Sequence, residues 1–264
     1  MSEKLPLSVA VITKNEERDL PDCLKSVAFA DDIVVVDSGS TDRTVGIAED
    51  FGCKVFVEDW KGDGPQKNST IDKCGHEWVL ILDADERVPG ETERAIVAIL
   101  SGAANADAYS FPRRNFFHGR WIKHCGWWPD RVIRLVKKSR GRFQAITHGK
   151  WATEGALVEL DVPIDHYSFR GYSDMLAILD SRSTDMAKEL CDAGYRATLF
   201  TPFIHGIVMF LKVYVLKLGF LDGLDGFTIA VTRAGGTFFK YAKLLELQRE
   251  RKGRRRSGAS ESRV

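Results

Sequence analysis

Short runs of apolar, β-branched residues alternate with longer mixed stretches through the first third of the chain. The run from Ser8 to Thr13 has no polar alternation, which is typical of a parallel strand covered on both faces. Strands that alternate with helices imply right-handed crossovers and a mostly parallel sheet with helices on both faces, an α/β fold. The predicted strands cover 8–13, 33–36, 54–57 and 78–82, and the predicted helices cover 16–28, 41–51 and 66–74.

The pattern changes after a predicted helix over 91–101. Shorter strands are predicted over 108–112 and 132–136, separated by an aromatic and basic stretch, and a long helix is predicted over 172–194. We therefore expect an α/β domain over 1–168, followed by a helical region over 169–248 and a basic, disordered tail over 249–264.

Residues 203–221 are apolar apart from His205, Lys212 and Lys217. A lysine near the centre of a bilayer costs roughly 2.5 to 3.5 kcal/mol, so we expect this stretch to be an interfacial or core helix more readily than a membrane span. The basic run that follows Arg249 would attract anionic lipid at about 1 kcal/mol per charge. It is short and interrupted by glycine, and no groove-reading helix accompanies it, so we expect no nucleic-acid partner.

Composition excludes a disordered chain, because 44% of the 264 residues are hydrophobic. The net charge of +1 averages an acidic first third with the basic C-terminal run. The five cysteines are odd in number and form no CxxC, which argues against a disulfide framework or a zinc site and favours a reducing compartment. The first residues lack the pattern of a signal peptide, so we expect the protein to stay in the cytoplasm.

Polar residues follow three of the predicted strands at the point where each strand ends. Ligands of an open parallel sheet bind at the carboxyl ends of its strands, so residues far apart in sequence are expected to share one pocket. These residues are Thr13, Asn15 and Glu16 after the first strand, Asp37 after the second, and Asp83 and Asp85 after the fourth.

The Asp83-Ala84-Asp85 turn carries two carboxylates separated by one small residue. Hard oxygen ligands of this kind suit Mg²⁺ or Mn²⁺ shared with a substrate diphosphate, where the metal would offset the charge of the leaving group. Alternatively, Asp83 only caps the turn, and Asp85 and Glu86 are solvated.

The turn from Asp37 to Asp42 begins with a carboxylate and contains a glycine that can adopt positive φ. Asp37 is placed to accept hydrogen bonds from a base or a ribose, whereas Asp42 is placed to cap the next helix. The turn matches neither the dinucleotide fingerprint nor the P-loop, so a phosphate-binding loop of those kinds is excluded.

Four motifs, in this order along the chain, resemble those of inverting family 2 glycosyltransferases of the GT-A fold. They are SVAVITKNEE, DSGSTD, GPQKN (64–68) and LILDADE. The resemblance implies a divalent metal at Asp83 and Asp85, with Asp85 reaching the ion. It also implies a nucleotide-sugar site made of Thr13, Asn15, Glu16, Asp37, Ser38, Gly39, Lys67, Asn68, Asp83, Ala84, Arg131 and Arg134.

Further segments resemble the branch of this family that adds glucose to the lipopolysaccharide inner core. They are PDRVIRL (129–135), His148, DHYSFRGY (165–172) and LKLGFLDGLDGF (216–227). The resemblance implies transfer of a hexose, glucose in that branch, from a UDP-sugar to a membrane-associated saccharide. The enzyme would then lie peripherally on the cytoplasmic face of the cell membrane, in contact with anionic lipid.

The general base is the least determined part of the prediction. Relatives in this branch often carry His-Glu where this chain has His148-Gly149, so the expected carboxylate is absent. Inversion requires a base for the acceptor hydroxyl. We predict Asp130, which lies beside two tryptophans in the sequence, although an ion pair with Arg131 or Arg134 would explain it equally well. The other candidates are His148, Glu154 and Asp165.

Basic side chains near Asp130 would suit an anionic ligand. Arg131 and Arg134 are spaced to project from one edge, which suits a diphosphate or a phosphorylated acceptor, and a solvated basic face is the alternative. Two other functions stay open: a transferase that acts on a polyprenyl phosphate, whose acceptor needs no strong base, and a non-catalytic nucleotide-sugar sensor or scaffold.

Overall fold

The computed structural model describes residues 4–144 and 149–261, with the side chains of residues 103 and 253–261 left out. The chain separates into two compact units. Unit 1 comprises Met1–Asn115 and Pro129–Ser168, and unit 2 comprises Phe116–Trp128 and Phe169–Val264.

Twelve strands and seven α-helices make up the described residues. The strands are β1 Leu5–Thr13, β2 Ala30–Asp37, β3 Lys54–Val57, β4 Trp78–Asp83, β5 Glu86–Arg87, β6 Ala108–Phe117, β7 Arg120–Trp121, β8 Asp130–Lys137, β9 Gly141–Gln144, β10 Lys150–Thr153, β11 Leu157–Glu159 and β12 Ile164–Phe169. The helices are α1 Leu20–Ser26, α2 Thr44–Asp50, α3 Asp63–Asp72, α4 Gly90–Ala98, α5 Tyr172–Asp192, α6 Thr201–Leu211 and α7 Gly223–Glu261.

The parallel half of the main sheet has the order β3-β2-β1-β4. In β1, Thr13 lies opposite Asp37 of β2 and Ile12 lies opposite Asp83 of β4, so the three strands end at one edge. Alternate residues of β1 are buried on opposite faces: Val11 packs in one core cluster and Ala10 in the other. Burial on both faces explains the unbroken apolar runs of these strands.

The other half of the sheet makes it mixed, whereas the sequence pattern predicted a mostly parallel sheet. β8 is antiparallel to both β4 and β6, and the order continues through β12 to β5. β5 and β12 were not predicted, because a two-residue strand such as Glu86–Arg87 has no periodicity to detect. Their antiparallel pairing places His166 opposite Glu86, immediately after the Asp83-Ala84-Asp85 turn.

Unit 2 is built around α7, which packs against both α5 and α6. Two aspartates hold the 116–128 segment, one just before α7 and one in its first turn. Asp222 accepts the backbone N–H of His124 at 2.9 Å, and Asp225 lies 2.9 Å from the imidazole of His118. A side chain at Gly226 would meet the carbonyl oxygen of Gly219 at 1.9 Å. The LDGLDGF segment is therefore a structural junction within this unit.

Two predictions for this unit were wrong. The apolar stretch over 203–221 is not one helix, because α6 gives way to a π-helical turn (Lys212–Leu216), and left-handed backbone at Leu218 and Gly223 flanks a 3-10 turn. The tail over 249–264 was expected to be disordered, yet α7 continues to Glu261. Its Arg, Lys, Glu and Ala residues favour helix, and Arg251 is anchored to Asp192 at 2.6 Å.

No single helix among the described residues is both long and apolar enough to cross a membrane. One bent pair, Thr201–Leu216 and Gly219–Lys252, meets the requirement of length and composition when taken together, with an angle of 69° between its members.

Candidate functional site

The loops that follow β1 and β2 are joined to each other by hydrogen bonds. The side-chain oxygen of Asn15 accepts a hydrogen bond from the backbone N–H of Thr41 at 2.8 Å. The backbone N–H of Asn15 donates to the Ser40 hydroxyl at 2.7 Å. The N–H of Glu16 donates to Thr44 Oγ1 at 2.8 Å. These two predicted site loops therefore form one rigid rim at the carboxyl edge of the sheet.

Asp37 stabilises the turn from Asp37 to Asp42 through hydrogen bonds of its carboxylate. Its Oδ2 accepts the backbone N–H groups of Gly39 at 2.9 Å and Ser40 at 2.7 Å, and its Oδ1 accepts the Ser40 hydroxyl. Gly39 has φ +80°, as the sequence predicted. Asp42 precedes Arg43, the N-cap residue of α2, and accepts the N–H of Thr44, the first residue of that helix, at 3.0 Å.

Three polar side chains near this rim are almost completely buried and have no hydrogen-bond partner for one atom within the described part of the chain. They are Thr13 (Oγ1), Ser38 (Oγ) and Gln66 (Nε2). Buried polar atoms are nearly always paired in proteins, so these three groups are candidates to bind a ligand. Gln66 was missed by the sequence reasoning, although it lies inside the GPQKN motif.

Asp83 is held between two cations. Its Oδ1 lies 3.0 Å from the ammonium of Lys67, and its Oδ2 accepts a hydrogen bond from Arg134 at 2.6 Å. Partial burial would raise the pKa of Asp83, but Arg134 and Lys67 outweigh burial and hold that pKa well below its usual range. The structure thus brings together three of the predicted site residues, because the Asp83 carboxylate forms ion pairs with both Lys67 and Arg134.

Glu86 extends this cluster into the interior. It is fully buried, accepts hydrogen bonds from Arg134 at 2.6 Å and Arg113 at 3.3 Å, and its other oxygen accepts the Asp83 N–H. The reading of Glu86 as a solvated residue was therefore wrong. Arg113 also binds Oδ2 of Asp130 through two nitrogens, at 3.0 and 2.5 Å. Asp130 therefore forms an ion pair, as the alternative interpretation of the sequence expected, but its partner is Arg113 and not Arg131 or Arg134.

Asp85 points to a different partner. Its Oδ2 lies 3.4 Å from Nε2 of His166, and its carbonyl oxygen accepts the N–H of Tyr167 at 3.0 Å. The other ring nitrogen of His166, Nδ1, lies 2.6 Å from Oδ1 of Asn115, and the Ser168 hydroxyl lies 2.9 Å from both ring nitrogens. The sequence reasoning quoted His166 within DHYSFRGY but gave it no role.

Four of the predicted nucleotide-sugar or catalytic residues have other contacts. Asn68 bonds both the N–H and the carbonyl of Phe143 through its amide, and Ala84 is buried in the core. Arg131 donates to the carbonyl of Leu160 and pairs with Asp161, so it does not join Arg134 at one edge. Asp165 accepts a hydrogen bond from Arg114 at 2.5 Å.

The position of Glu154 argues against its predicted catalytic role. It is exposed, and its neighbour Gly155 packs against Asp107, which precedes β6. Asp107 pairs with Lys137, and Lys137 lies opposite Trp78, the first residue of β4, whereas Asp83 is the last. Glu154 is thus at the opposite end of the strands from Asp83, and we discard it as a base. His148 lies outside the described residues.

Comparison with known proteins agrees with this site. Residues 8–174 match the family described as Glycosyl transferase family 2. The chain belongs to glycosyl transferase family 2. This assignment covers every residue of the rim and of the ion-pair cluster described above.

Family 2 relatives match nearly the whole chain. A glycosyltransferase of Rickettsia typhi, described as uncharacterized, is 31% identical over 91% of this chain and 87% of its own length. The lipopolysaccharide core biosynthesis glycosyltransferase LpsC of Rhizobium meliloti is 26% identical over 93% of this chain and 94% of its own length.

The fold is also that of solved GT-A glycosyltransferases, as predicted. The mannosyltransferase PcManGT of Pyrobaculum calidifontis, in complex with GDP-Man and Mn²⁺, aligns with a TM-score of 0.51 at 16% identity, over 92% of this chain and 88% of its own. Within the described residues of the present chain, no three His, Cys, Asp or Glu side chains converge to hold a metal ion.

Proposed function

We propose that this enzyme transfers a hexose, in the first instance glucose, from a UDP-sugar to a membrane-associated saccharide such as the lipopolysaccharide inner core, with inversion. The observation that carries the proposal is the convergence, at one edge of the sheet, of buried unpaired polar groups with a cation-rich cluster around Asp83. Similarity to LpsC supports the class of acceptor.

The two halves of the rim suit the two halves of a nucleotide donor. Thr13, Ser38 and Gln66 offer hydroxyl and amide groups for the nucleoside, and burial of a ligand there would satisfy them. Lys67 and Arg134 offer positive charge for a diphosphate, and Asp83 holds both in place before any donor arrives. A bound divalent metal would supply further neutralisation of the leaving UDP.

Asp130 stays the proposed base. Arg113 occupies its Oδ2, and within the described part of the chain its Oδ1 has no hydrogen-bond partner. We propose that Oδ1 takes the proton of the acceptor hydroxyl as that hydroxyl attacks the anomeric carbon. Arg113 acts as a positioning residue, because it contacts both carboxylates: Glu86 anchors the guanidinium, and the guanidinium holds Asp130.

The direct test of this function is release of UDP. Purified enzyme, Mn²⁺ and a panel of UDP-sugars are incubated with and without deacylated lipopolysaccharide core, and UDP is measured. We expect UDP release with UDP-glucose that increases with acceptor and is lost in Asp130→Asn. No UDP release from any sugar donor would contradict the proposal.

A transferase acting on a polyprenyl phosphate is the second candidate. The observation that favours it is the involvement of Asp130 in an ion pair, which leaves one oxygen rather than a free carboxylate as a base. A labelled lipid-phosphate sugar on a thin-layer plate would establish this alternative, and labelled core saccharide would exclude it. A non-catalytic sensor would bind the donor and form neither product.

We also propose that the enzyme attaches peripherally to the cytoplasmic face of the cell membrane through unit 2. The apolar face of α6 and the start of α7 is uncovered: Phe200, Ile204, Ile207, Leu211, Leu216 and Leu224 are each at least 50% exposed. The opposite face of α6 is packed against α7, since a Cβ atom added at Gly206 would lie 3.5 Å from the Cβ atom of Phe238. A one-sided apolar helix of this kind suits the interface of a bilayer.

Charge indicates which surface this apolar face would meet. The sequence has no Asp or Glu from Ala193 to Leu221, nor from Gly226 to Leu245. Lys212 and Lys217 are exposed within the first of these stretches. Asp222 and Asp225, which separate the two stretches, are buried. An apolar face with exposed lysines suits a leaflet rich in anionic lipid, which contributes about 1 kcal/mol per charge.

A further inference from the structure

The loop over 58–62, between β3 and α3, begins beside the end of β2. β3 is parallel to β2, and Val57, its last residue, lies opposite Asp37. The backbone N–H of Glu58 donates to the carbonyl oxygen of Asp37 at 2.9 Å. The start of the loop is therefore fixed next to the turn that contains Ser38, one of the buried polar residues of the candidate site.

The same loop ends close to the charged groups at the end of β4. Asp63, the first residue of α3, lies 3.0 Å from the ammonium of Lys67, which also lies 3.0 Å from Asp83. The order of strands along this edge is β3-β2-β1-β4, so the loop passes the ends of β2 and β1. A donor with its diphosphate at Asp83 would extend its nucleoside toward the same two strands, where Asp37 and Thr13 lie.

Hydrogen bonds hold the loop on both sides of Trp60, its central residue. Before it, Glu58 accepts hydrogen bonds from Lys61 at 2.8 Å and from Lys73 of α3 at 2.6 Å. After it, the backbone N–H of Lys61 donates to the side-chain oxygen of Gln66 at 3.2 Å. The amide nitrogen of Gln66 is buried and has no partner among the described residues, so the loop also borders a polar group that is a candidate to bind a ligand.

The indole of Trp60 is 55% exposed on this fixed loop. Exposure alone is not informative, because isolated apolar side chains are common on protein surfaces. The position of Trp60 is informative, because the loop passes the strand ends where the nucleoside is expected. Every nucleobase has a π-face on which an aromatic ring can stack, and a ring on an ordered loop loses little conformational entropy when it does so.

We propose that Trp60 stacks on the nucleobase of the donor and thereby holds the nucleoside at the ends of β1 and β2. This inference rests on the proposed function, since it requires a nucleoside diphosphate at this edge. Stacking tolerates any base, so Trp60 supplies affinity, and the choice of base is left to the polar groups around it.

Calorimetric titration of UDP with Mn²⁺ into the full chain tests this role. Loss of a stacking aromatic residue weakens binding of a base by about 10- to 100-fold, and we expect that loss in Trp60→Ala. Trp60→Phe keeps a planar ring and should bind UDP within about threefold of the wild type. Trp60→Leu keeps apolar bulk without a ring and should resemble Trp60→Ala. Thermal unfolding should be the same in all of them, because the side chain is exposed.

Two controls separate stacking from a general effect on the site. Inorganic pyrophosphate with Mn²⁺ has no base, so it should bind Trp60→Ala as it binds the wild type. Phe51→Ala is the matched control variant, because Phe51 is an aromatic residue of unit 1 that is 41% exposed. It lies at the end of α2, just before β3 begins, and thus at the opposite edge of the sheet. This variant should leave the affinity for UDP unchanged.

The outcomes distinguish this inference from the function on which it rests. Wild-type affinity for UDP in Trp60→Ala, equal weakening of UDP and pyrophosphate, or a Trp60→Phe as weak as Trp60→Ala would each overturn the stacking role and leave the transferase proposal standing. Normal UDP affinity with a raised KM for the acceptor saccharide would also overturn it and assign Trp60 to the acceptor. Failure of the wild type to bind UDP would overturn the transferase proposal and the stacking role together.

Discussion

Unit 1 and unit 2 differ in which kind of side chain they leave in an unfavourable environment. Unit 1 buries charge: Glu86 is inaccessible and Arg134 is 4% exposed. Unit 2 exposes apolar surface, with Leu216 at 76% and Phe200 at 73%. Both arrangements cost stability in an isolated protein, and both are relieved by a ligand of the right kind. Under the proposed function, an anionic donor would be that ligand for unit 1 and a lipid surface would be that ligand for unit 2.

The exposed apolar residues of unit 1 sharpen this contrast. They are scattered over separate elements, namely Phe51, Phe56, Val57, Trp60, Val97 and Leu157. Scattered apolar residues are normal on a soluble surface, whereas a continuous face is not. The comparison therefore predicts that substitutions of charge act mainly on unit 1 and substitutions of apolar surface mainly on membrane attachment.

The largest expected effect is loss of the Asp83 charge. Asp83→Ala leaves Lys67 and Arg134 without their shared partner, and we expect a loss of about 3 kcal/mol in the free energy of unfolding, the low end for a buried pair because 27% of this side chain is exposed. Urea denaturation measures it. Asp161→Ala is the control, since Asp161 pairs with Arg131 while 97% exposed, and no measurable loss is expected. Equal losses would contradict the account.

The lowered pKa of Asp83 also predicts how the free energy of unfolding changes with pH. The pKa of Asp83 is lowered in the folded state, so its stabilisation is complete above its unfolded pKa of about 3.9 and disappears as pH falls below that value. The stability difference between wild type and Asp83→Asn should therefore narrow as pH falls from about 5 to 2. Parallel stability curves for the two proteins over this range would show that Asp83 is not held by its cations.

Disruption of the apolar face comes next in size. Ile207→Glu with Leu211→Glu places two acids where 62% and 50% of each side chain is exposed, so folding should be unaffected. Each lost apolar contact is worth about 1.5 to 3 kcal/mol, and binding to vesicles with anionic lipid should fall by more than about 100-fold. Flotation with phosphatidylglycerol vesicles measures this.

Val97→Glu is the matched control for that experiment, because Val97 is an exposed apolar residue on a unit 1 helix, α4. It should float with the vesicles like the wild type. A wild-type protein that stays at the bottom of the gradient, or a double variant that floats equally well, would contradict membrane attachment. A wild type that forms dimers dispersed by the double variant, without vesicle binding, would assign the face to a second copy of the chain.

The smallest expected effect concerns Gln66. Gln66→Leu removes a buried unpaired donor together with the oxygen that accepts the N–H of Lys61 at 3.2 Å, so the free protein should lose no more than about 1 kcal/mol in the free energy of unfolding, whereas affinity for UDP should fall about tenfold. Thermal unfolding and calorimetric titration give the two values. Gln144→Leu, at an exposed position of β9, should change neither value. A destabilised Gln66→Leu with normal UDP affinity would mean that Gln66 is structural.

Local patterns were sufficient to predict the parallel half of the sheet and the edge where Thr13, Asp37 and Asp83 meet. They were not sufficient for pairings that depend on short antiparallel strands. His166 meets Asp85 only because β12 pairs with the two-residue strand β5, and no periodicity marks a strand of that length. The burial of Glu86, for which the sequence offered only a solvated position as an alternative, depends on two arginines from strands distant in sequence.

The helix boundaries predicted for unit 2 were wrong for a related reason. The stretch over 203–221 has the composition of one apolar helix, but left-handed backbone at Leu218 ends it, and leucine is rarely found in that conformation. The burial of Gly219 against Cys125 belongs to tertiary packing that a single segment does not reveal. The helical continuation of α7 beyond Gly253 likewise depends on anchoring, here by Arg251.

The central claim is a metal-assisted nucleotide-diphosphate site at the edge formed by β1, β2 and β4. Calorimetric titration of UDP, and of GDP for comparison, into the wild type and Asp85→Ala, each with and without Mn²⁺, tests it most directly. We predict UDP binding that Mn²⁺ strengthens in the wild type and does not strengthen in Asp85→Ala. Absence of UDP binding to the wild type, or a Mn²⁺ effect that survives in Asp85→Ala, would contradict the claim.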